Sequence, residues 1–175
     1  MQEPKTSNSI CSFPPIVDEY SEVLILGSIP GPESLRQRQY YANHNNQFWR
    51  IIYSVYGSDS DDTAEFAYEA KIRFILEHKI ALWDVFHSAD RSGALDADIK
   101  NPELSDIRGL ILAHPRIKRI LLAGRTAEKA FRKHFSDVRI HTLYVPSASS
   151  AYAKKSIDEK IEDWKSAILF DERGN

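Results

Sequence analysis

Asn46, Tyr41, Asp84 and a serine cluster at Ser147, Ser149 and Ser150 are the side chains of this 175-residue chain best suited to chemistry on a bound molecule. A carboxamide can align a water, a phenol ring can stack on a planar ligand, and serine hydroxyls beside free N–H groups can grip phosphate. They lie in or beside four stretches: G-S-I-P-G (27–31), Q-Y-Y-A-N-H-N-N-Q-F-W (39–49), L-A-G (122–124) and P-S-A-S-S-A (146–151). Three of these directly follow an apolar run that reads as a strand. If those runs are parallel strands of one sheet, the loops gather at its carboxyl edge, where open α/β sheets keep their ligand crevices.

Each stretch has an ordinary reading beside the chemical one. Gly27-Ser28-Ile29-Pro30-Gly31 offers glycines that allow unusual backbone angles or close approach to main-chain N–H groups, with Pro30 stiffening the turn; a plain strand-to-loop turn has the same composition. Neither G-x-G-x-x-G nor a lysine-bearing phosphate loop is present. Asn46 either caps the helix that follows or faces a ligand. Phe48 and Trp49 read as core, and Tyr41 as the better stacking candidate. Asp84 ends an apolar run, where it either supports developing charge or bonds its own backbone in a turn. His87, Asp90 and Arg91 follow without metal-ligand spacing, so no metal is assigned. The serine loop, with Lys154 and Lys155 after it, suits phosphate, and Arg36, Arg38 and Arg50 would extend the positive edge; solvated surface is the default for each alone.

Four apolar runs must position these residues: 22–26, 79–85, 117–122 and 138–145, each of strand length. Helical periodicity fills the gaps at 46–56 (Phe48, Ile51, Ile52 and Val55 on one face), 63–78 (capped by Asp61, Asp62 or Thr63), 105–113, 126–135 and 157–170. Alternating strands and helices imply an α/β/α sandwich of three layers around a short, mainly parallel four-stranded sheet. Residues 1–20, polar and carrying Pro14-Pro15, are expected as a loosely packed arm before a single domain spanning 21–175.

Composition narrows the classes. Cys11 is the only cysteine, which excludes an internal disulfide and four-cysteine metal clusters and suggests the cytosol. No apolar run approaches the roughly 20 residues that cross a bilayer, and the first residues lack an apolar signal core, so a soluble, unexported protein is expected. A net charge of -2 provides no broad basic footprint, so nucleic-acid binding would need a local patch.

In order, the segments G-S-I-P-G-P-E-S-L, Q-Y-Y-A-N-H-N-N-Q-F-W, A-L-W-D-V, G-A-L-D-A-D-I, L-A-G and V-P-S-A-S-S-A resemble the uracil-DNA glycosylase superfamily. The closest pattern is its hypoxanthine-DNA (deoxyinosine) glycosylase branch, and it covers residues 22 to 170. The resemblance implies a cofactor-free DNA glycosylase of base excision repair, expected to be monofunctional because no lysine occupies an evident nucleophile position for a Schiff base. It would be monomeric, would work in a bacterial cytosol or nucleoid, and would act on DNA containing hypoxanthine, with uracil or xanthine as further bases.

It also implies roles. Asn46 would position water, Tyr41 would stack on the extruded base, and the 27–31 backbone, with Asp84, Ala123 and Gly124, would line the base and sugar pocket. Ser147, Ser149, Ser150 and Lys154 would hold the flanking phosphates. In related mismatch-specific enzymes the first-strand loop carries the water-positioning Asn, a position that is Ile29 here. Other departures are Asn43 for a family His, with His44 beside it, Ala123 for a base-reading Asn, and Ser150 and Tyr152 for Pro and Asn in the last motif. These departures motivate an alternative, a nucleic-acid or nucleobase binder on the same scaffold with catalysis weakened. An unrelated α/β enzyme would line its pocket elsewhere than by Tyr41 and Asn46.

Overall fold

Strand β2 (Val23–Gly27) is buried at all five positions, as a strand covered on both faces must be. The structure, a computed structural model, describes residues 9–58 and 66–170. Around β2 stand β3 (Ile80–Asp84), β6 (Arg119–Ala123) and β7 (His141–Val145), all parallel, in the order β3-β2-β6-β7. These are the four apolar runs, except that the last strand begins only at His141.

Helices α1 (Pro32–Gln37), α2 (Phe48–Val55) and α3 (Tyr68–Glu77) connect β2 to β3, stepping one way along the sheet. The next two connections, carrying α4 (Ile107–Ala113) and α5 (Arg125–His134), step the opposite way. Right-handed crossovers in opposite directions put their helices on opposite faces, which makes the three layers. The last helix, α6 (Ile157–Ile168), starts at a capping box in which Ser156 and Glu159 satisfy each other's backbone N–H, and it packs on α2. Helix α2 buries Phe48, Ile51, Ile52 and Val55 together, the face its spacing dictates. The expected cap of α3 at Asp61 to Thr63 lies outside the described residues.

Two features depart from the sequence reading. Strand β4 (Phe86–Arg91) pairs antiparallel with β5 (Ile99–Leu104) and with β1 (Ser9–Cys11) in a second sheet, ordered β1-β4-β5. Residues 9–17 are therefore not a loose arm. Ile16 exchanges two backbone bonds with Leu82 (2.9 and 2.8 Å), and the Trp83 indole N–H donates to the Phe13 carbonyl (3.0 Å). The polar composition of residues 1–20 conceals Ile10, Phe13, Ile16 and Val17, which pack on the core at wide spacing.

Candidate active site

A cavity of about 560 Å3 opens beyond the carboxyl ends of β2 and β6. From these two central strands the chain departs in opposite directions, the switch point at which such sheets bind ligands. The volume lies in the usual range for small-molecule sites and accommodates a purine nucleoside. Its lining includes Gly27, Ser28, Ile29, Pro30, Gly31, Tyr41, Asn46, Asp84, Ala123, Gly124, Ser147, Ser149 and Ser150. Lys154 is not among the lining residues; its side chain is exposed on the turn before α6. Lys155 is engaged by Asp163 and Arg36 by Glu33.

Asn46 precedes Gln47, the cap position of α2, which has no side-chain cap bond of its own. The Asn46 Oδ1 accepts the Phe48 N–H at 2.9 Å, fixing the entry to α2, while the residue lines the cavity. A carboxamide oxygen has two lone pairs, so one remains for a water, and the NH2 group stays available as donor. Asn43 and Tyr152, both departures from the family pattern, line the same cavity.

Tyr41 stands in the left-handed region (φ 53°), uncommon for a bulky residue, and its ring stacks on Phe48 at 3.9 Å with the planes 11° apart. No other aromatic ring among the described residues stacks on it, and Tyr41 lines the cavity. Phe48 is fully buried and Trp49 nearly so, with the Trp49 indole N–H donating to the Tyr40 carbonyl at 3.2 Å.

Asp84 is buried at the end of β3, where its Oδ2 accepts the Ser12 hydroxyl at 2.6 Å. Burial pushes this carboxyl up to about 7 and nearby Asp96 adds to the rise, against the opposing pull of Ser12 and Arg91. Arg91 is itself buried, donating to the Pro30 carbonyl at 2.7 Å, and Ser28 donates to Asp96 at 2.8 Å. The loop after β2 is thus braced from the β4–β5 connection.

The two glycines of that loop differ. A Cβ on Gly27 would lie 2.7 Å from Asp84 Oδ1 and 3.1 Å from the Tyr41 hydroxyl, whereas one on Gly31 would meet nothing within 4 Å. Neither has a positive φ, so close approach, not an unusual backbone angle, is what requires glycine at 27. Gly27→Ala is expected to lower stability by about 1–3 kcal/mol, the scale of overpacking, and Gly31→Ala to leave thermal melting unchanged. Gly124 does have a positive φ (94°), and a Cβ there would come within 3.3 Å of the Ser147 side chain, so glycine lets the serine loop close on the end of β6.

The sequence reading did not assign roles to Ser12, Arg91, Asp96, Arg125 or Lys160. Ser12 reaches Asp84 across 72 positions, a pairing without local signature. Lys160 did carry a signal: it falls at helical spacing among Ile157, Ile161, Trp164 and Ile168, a charged residue in an apolar stripe, and it is 1% exposed. Among the described residues no group of three His, Cys, Asp or Glu side chains stands close enough to hold a metal ion.

Known proteins place this geometry in a family. Residues 14–168 match the model of the uracil DNA glycosylase superfamily. The chain is 36% identical over 156 residues to the hypoxanthine DNA glycosylase of Methanosarcina acetivorans, covering 89% of this chain and 96% of that protein. It is 33% identical, with the same coverage, to the hypoxanthine DNA glycosylase of Methanosarcina barkeri. A solution NMR structure of a candidate uracil DNA glycosylase from M. acetivorans superposes with a TM-score of 0.79 at 33% identity, covering 91% of this chain and 96% of that one. With the family match extending from the arm to the last helix, this chain belongs to the uracil DNA glycosylase superfamily.

Proposed function

We propose that the protein hydrolyses the N-glycosidic bond of deaminated bases rotated out of DNA, hypoxanthine first, with uracil and xanthine as further substrates. The observation that carries this reading is the convergence of Tyr41, Asn46, Asp84 and the serine loop on one cavity sized for a purine nucleoside. The two relatives named as hypoxanthine DNA glycosylases support it.

Extruding a nucleotide costs a few kcal/mol, least at mismatched or damaged pairs. Tyr41, backed by Phe48, provides a rigid slab for the base that arrives. Asn46 holds a water at the sugar carbon. In a dissociative reaction the base departs as an anion before the water has bonded strongly, so alignment and fixed dipoles supply most of the stabilisation and a strong base is not needed.

Asp84 takes the part that Ala123 has vacated. A protonated carboxyl presents one O–H donor and one carbonyl acceptor, the complement of the lactam edge (N–H beside C=O) that deamination creates in hypoxanthine and uracil. The buried, partly neutral state of Asp84 provides that pair, and a neutral group does not repel the departing anion. The serine loop binds the flanking phosphates. The protein works in the cytosol as a monomer and needs no cofactor.

Duplex and single-stranded oligonucleotides bearing hypoxanthine, uracil, xanthine or mismatched thymine, incubated with the protein and then treated with alkali, test this reading. Strand cleavage is expected at deoxyinosine and, more slowly, at deoxyuridine; absence of product from every substrate would overturn it. Ala123 and Asn43 at the cavity wall favour one second reading, a binder with catalysis weakened. That alternative predicts retarded deaminated DNA without cleavage over long incubation.

A further inference from the structure

Lys160 is a buried cation for which neither the fold nor the proposed reaction yet accounts. Its ammonium donates to Gln47 Oε1 at 2.8 Å and to the Ser149 carbonyl at 3.1 Å, and it lies 5.4 Å from the centre of the Tyr152 ring. No carboxylate pairs with it among the described residues. Burying a charge costs stability unless its partners are excellent, and a methionine would sit well among Ile157, Ile161 and Trp164. Stability alone therefore does not explain a lysine here.

Its two partners lie on the two loops that meet at the cavity. Gln47 follows Asn46, and its own N–H donates to the Ala148 carbonyl at 2.9 Å; Trp164, one turn beyond Lys160, donates to the Pro146 carbonyl at 2.9 Å. Helix α6 thus holds the serine loop from inside. The peptide that begins with the Ser149 carbonyl ends in the Ser150 N–H, which has no partner among the described residues, and Ser150 lines the cavity. A cation on the carbonyl end of a peptide polarises it and strengthens the donor at the other end.

We propose that Lys160 is a positioning residue of the glycosylase site: it sets the spacing between the Asn46 turn and the serine loop, and through the Ser149–Ser150 peptide it delivers positive charge to a DNA phosphate it does not touch. The proposal rests on the glycosylase reading. It adds to the positive charge that a chain of net charge -2 offers phosphate there, where Arg91 and Arg125 line the cavity but are engaged by the Pro30 carbonyl and by Glu128, and where Lys154 stands outside. A charge buried in this way is also less screened by salt than a surface lysine. Lys160 is not a nucleophile for the abasic sugar, since it does not line the cavity and its ammonium is held by Gln47 and Ser149.

The test uses the full chain and the variants Lys160→Met and Lys160→Gln, the second keeping a donor without the charge. Four quantities are read: melting temperature, single-turnover excision from a deoxyinosine duplex, affinity for a duplex with a tetrahydrofuran abasic analogue, and the Ser150 amide proton shift with and without inorganic phosphate. Lys160→Met is expected to melt no lower than the parent, to move the Ser150 amide upfield and blunt its response to phosphate, and to lose about tenfold in excision and abasic affinity, the scale of one charge-assisted hydrogen bond. Lys160→Gln should fall between.

Parental excision and an unchanged Ser150 shift in Lys160→Met would overturn the proposal, as would loss of fold in both variants or a borohydride-trapped cross-link to abasic DNA that disappears without Lys160. If the parent protein excises nothing and ignores abasic DNA, the glycosylase reading has failed instead. The Ser150 response to phosphate then still decides whether Lys160 acts on that peptide.

Discussion

Asn46→Ala is expected to reduce excision of hypoxanthine from duplex DNA by about a hundredfold to a thousandfold, the range seen when one preorganised polar group is removed from a reacting centre. Two consequences must be separated, because Asn46 also accepts the Phe48 N–H at the start of α2. Losing that bond costs about 1 kcal/mol, as for other helix-entry side chains, which lowers melting of a chain this long by only a few degrees. A protein that remains folded well above the assay temperature yet has lost its rate identifies the chemical role. Asn46→Asp is the control, since a carboxylate keeps the acceptor for Phe48 and for water. Single-turnover rates for the three proteins, beside their melting curves, make the check. A folded Asn46→Ala with the parental rate would remove Asn46 from the mechanism.

Asp84 provides the second large effect, a dependence on pH with a definite sign. Its carboxyl titrates near 7 in the folded protein, raised mainly by burial, against an ordinary value of 3.8. The folded state therefore holds a proton that the unfolded chain gives up. The associated stability is complete below about pH 4, declines as pH rises through about 7, and is absent above it. A rise of this size corresponds to a loss on the order of 4 kcal/mol across that window.

Asp84→Asn removes the titrating proton while keeping a donor and an acceptor. The variant is expected to melt higher than the parent at pH 8 and to show little difference at pH 4. Excision should follow the same line: parental activity on deoxyinosine falls above pH 7, while Asp84→Asn holds a flatter profile. Thermal melts and initial rates from pH 4 to pH 9 on both proteins read the result. Superimposable pH curves would show that the carboxyl at the end of β3 does not titrate in this range.

What the chain discloses, and what it conceals, follows from the range of the interactions. The parallel sheet is legible because each apolar run is short, continuous and followed by a loop rich in small residues, so β2 and β3 could be read within a residue or two. Sheet β1-β4-β5 is not, because β5 is almost wholly exposed and carries Pro102, and because β1 pairs with β4 across some 80 positions of chain. Helix α1 has six residues, too few for a period to show. Asn46 and Tyr41 could be singled out by type and place, but whether Asp84 is a turn former or a buried acid depends on Ser12, Arg91 and Asp96, which only the folded chain brings near. Lys160 was legible as a charge on an apolar stripe, although its partners were not.

On the proposed reading of Asp84, the Ser12 hydroxyl that touches it makes the amino-terminal ribbon part of the base pocket. Trimming the chain to its apparent globule would flood the carboxyl with solvent and return it to ordinary acidity. At neutral pH such a shortened protein would meet every lactam with a bare negative charge, and its taste for damaged letters would change although no residue it uses to break the bond had been touched.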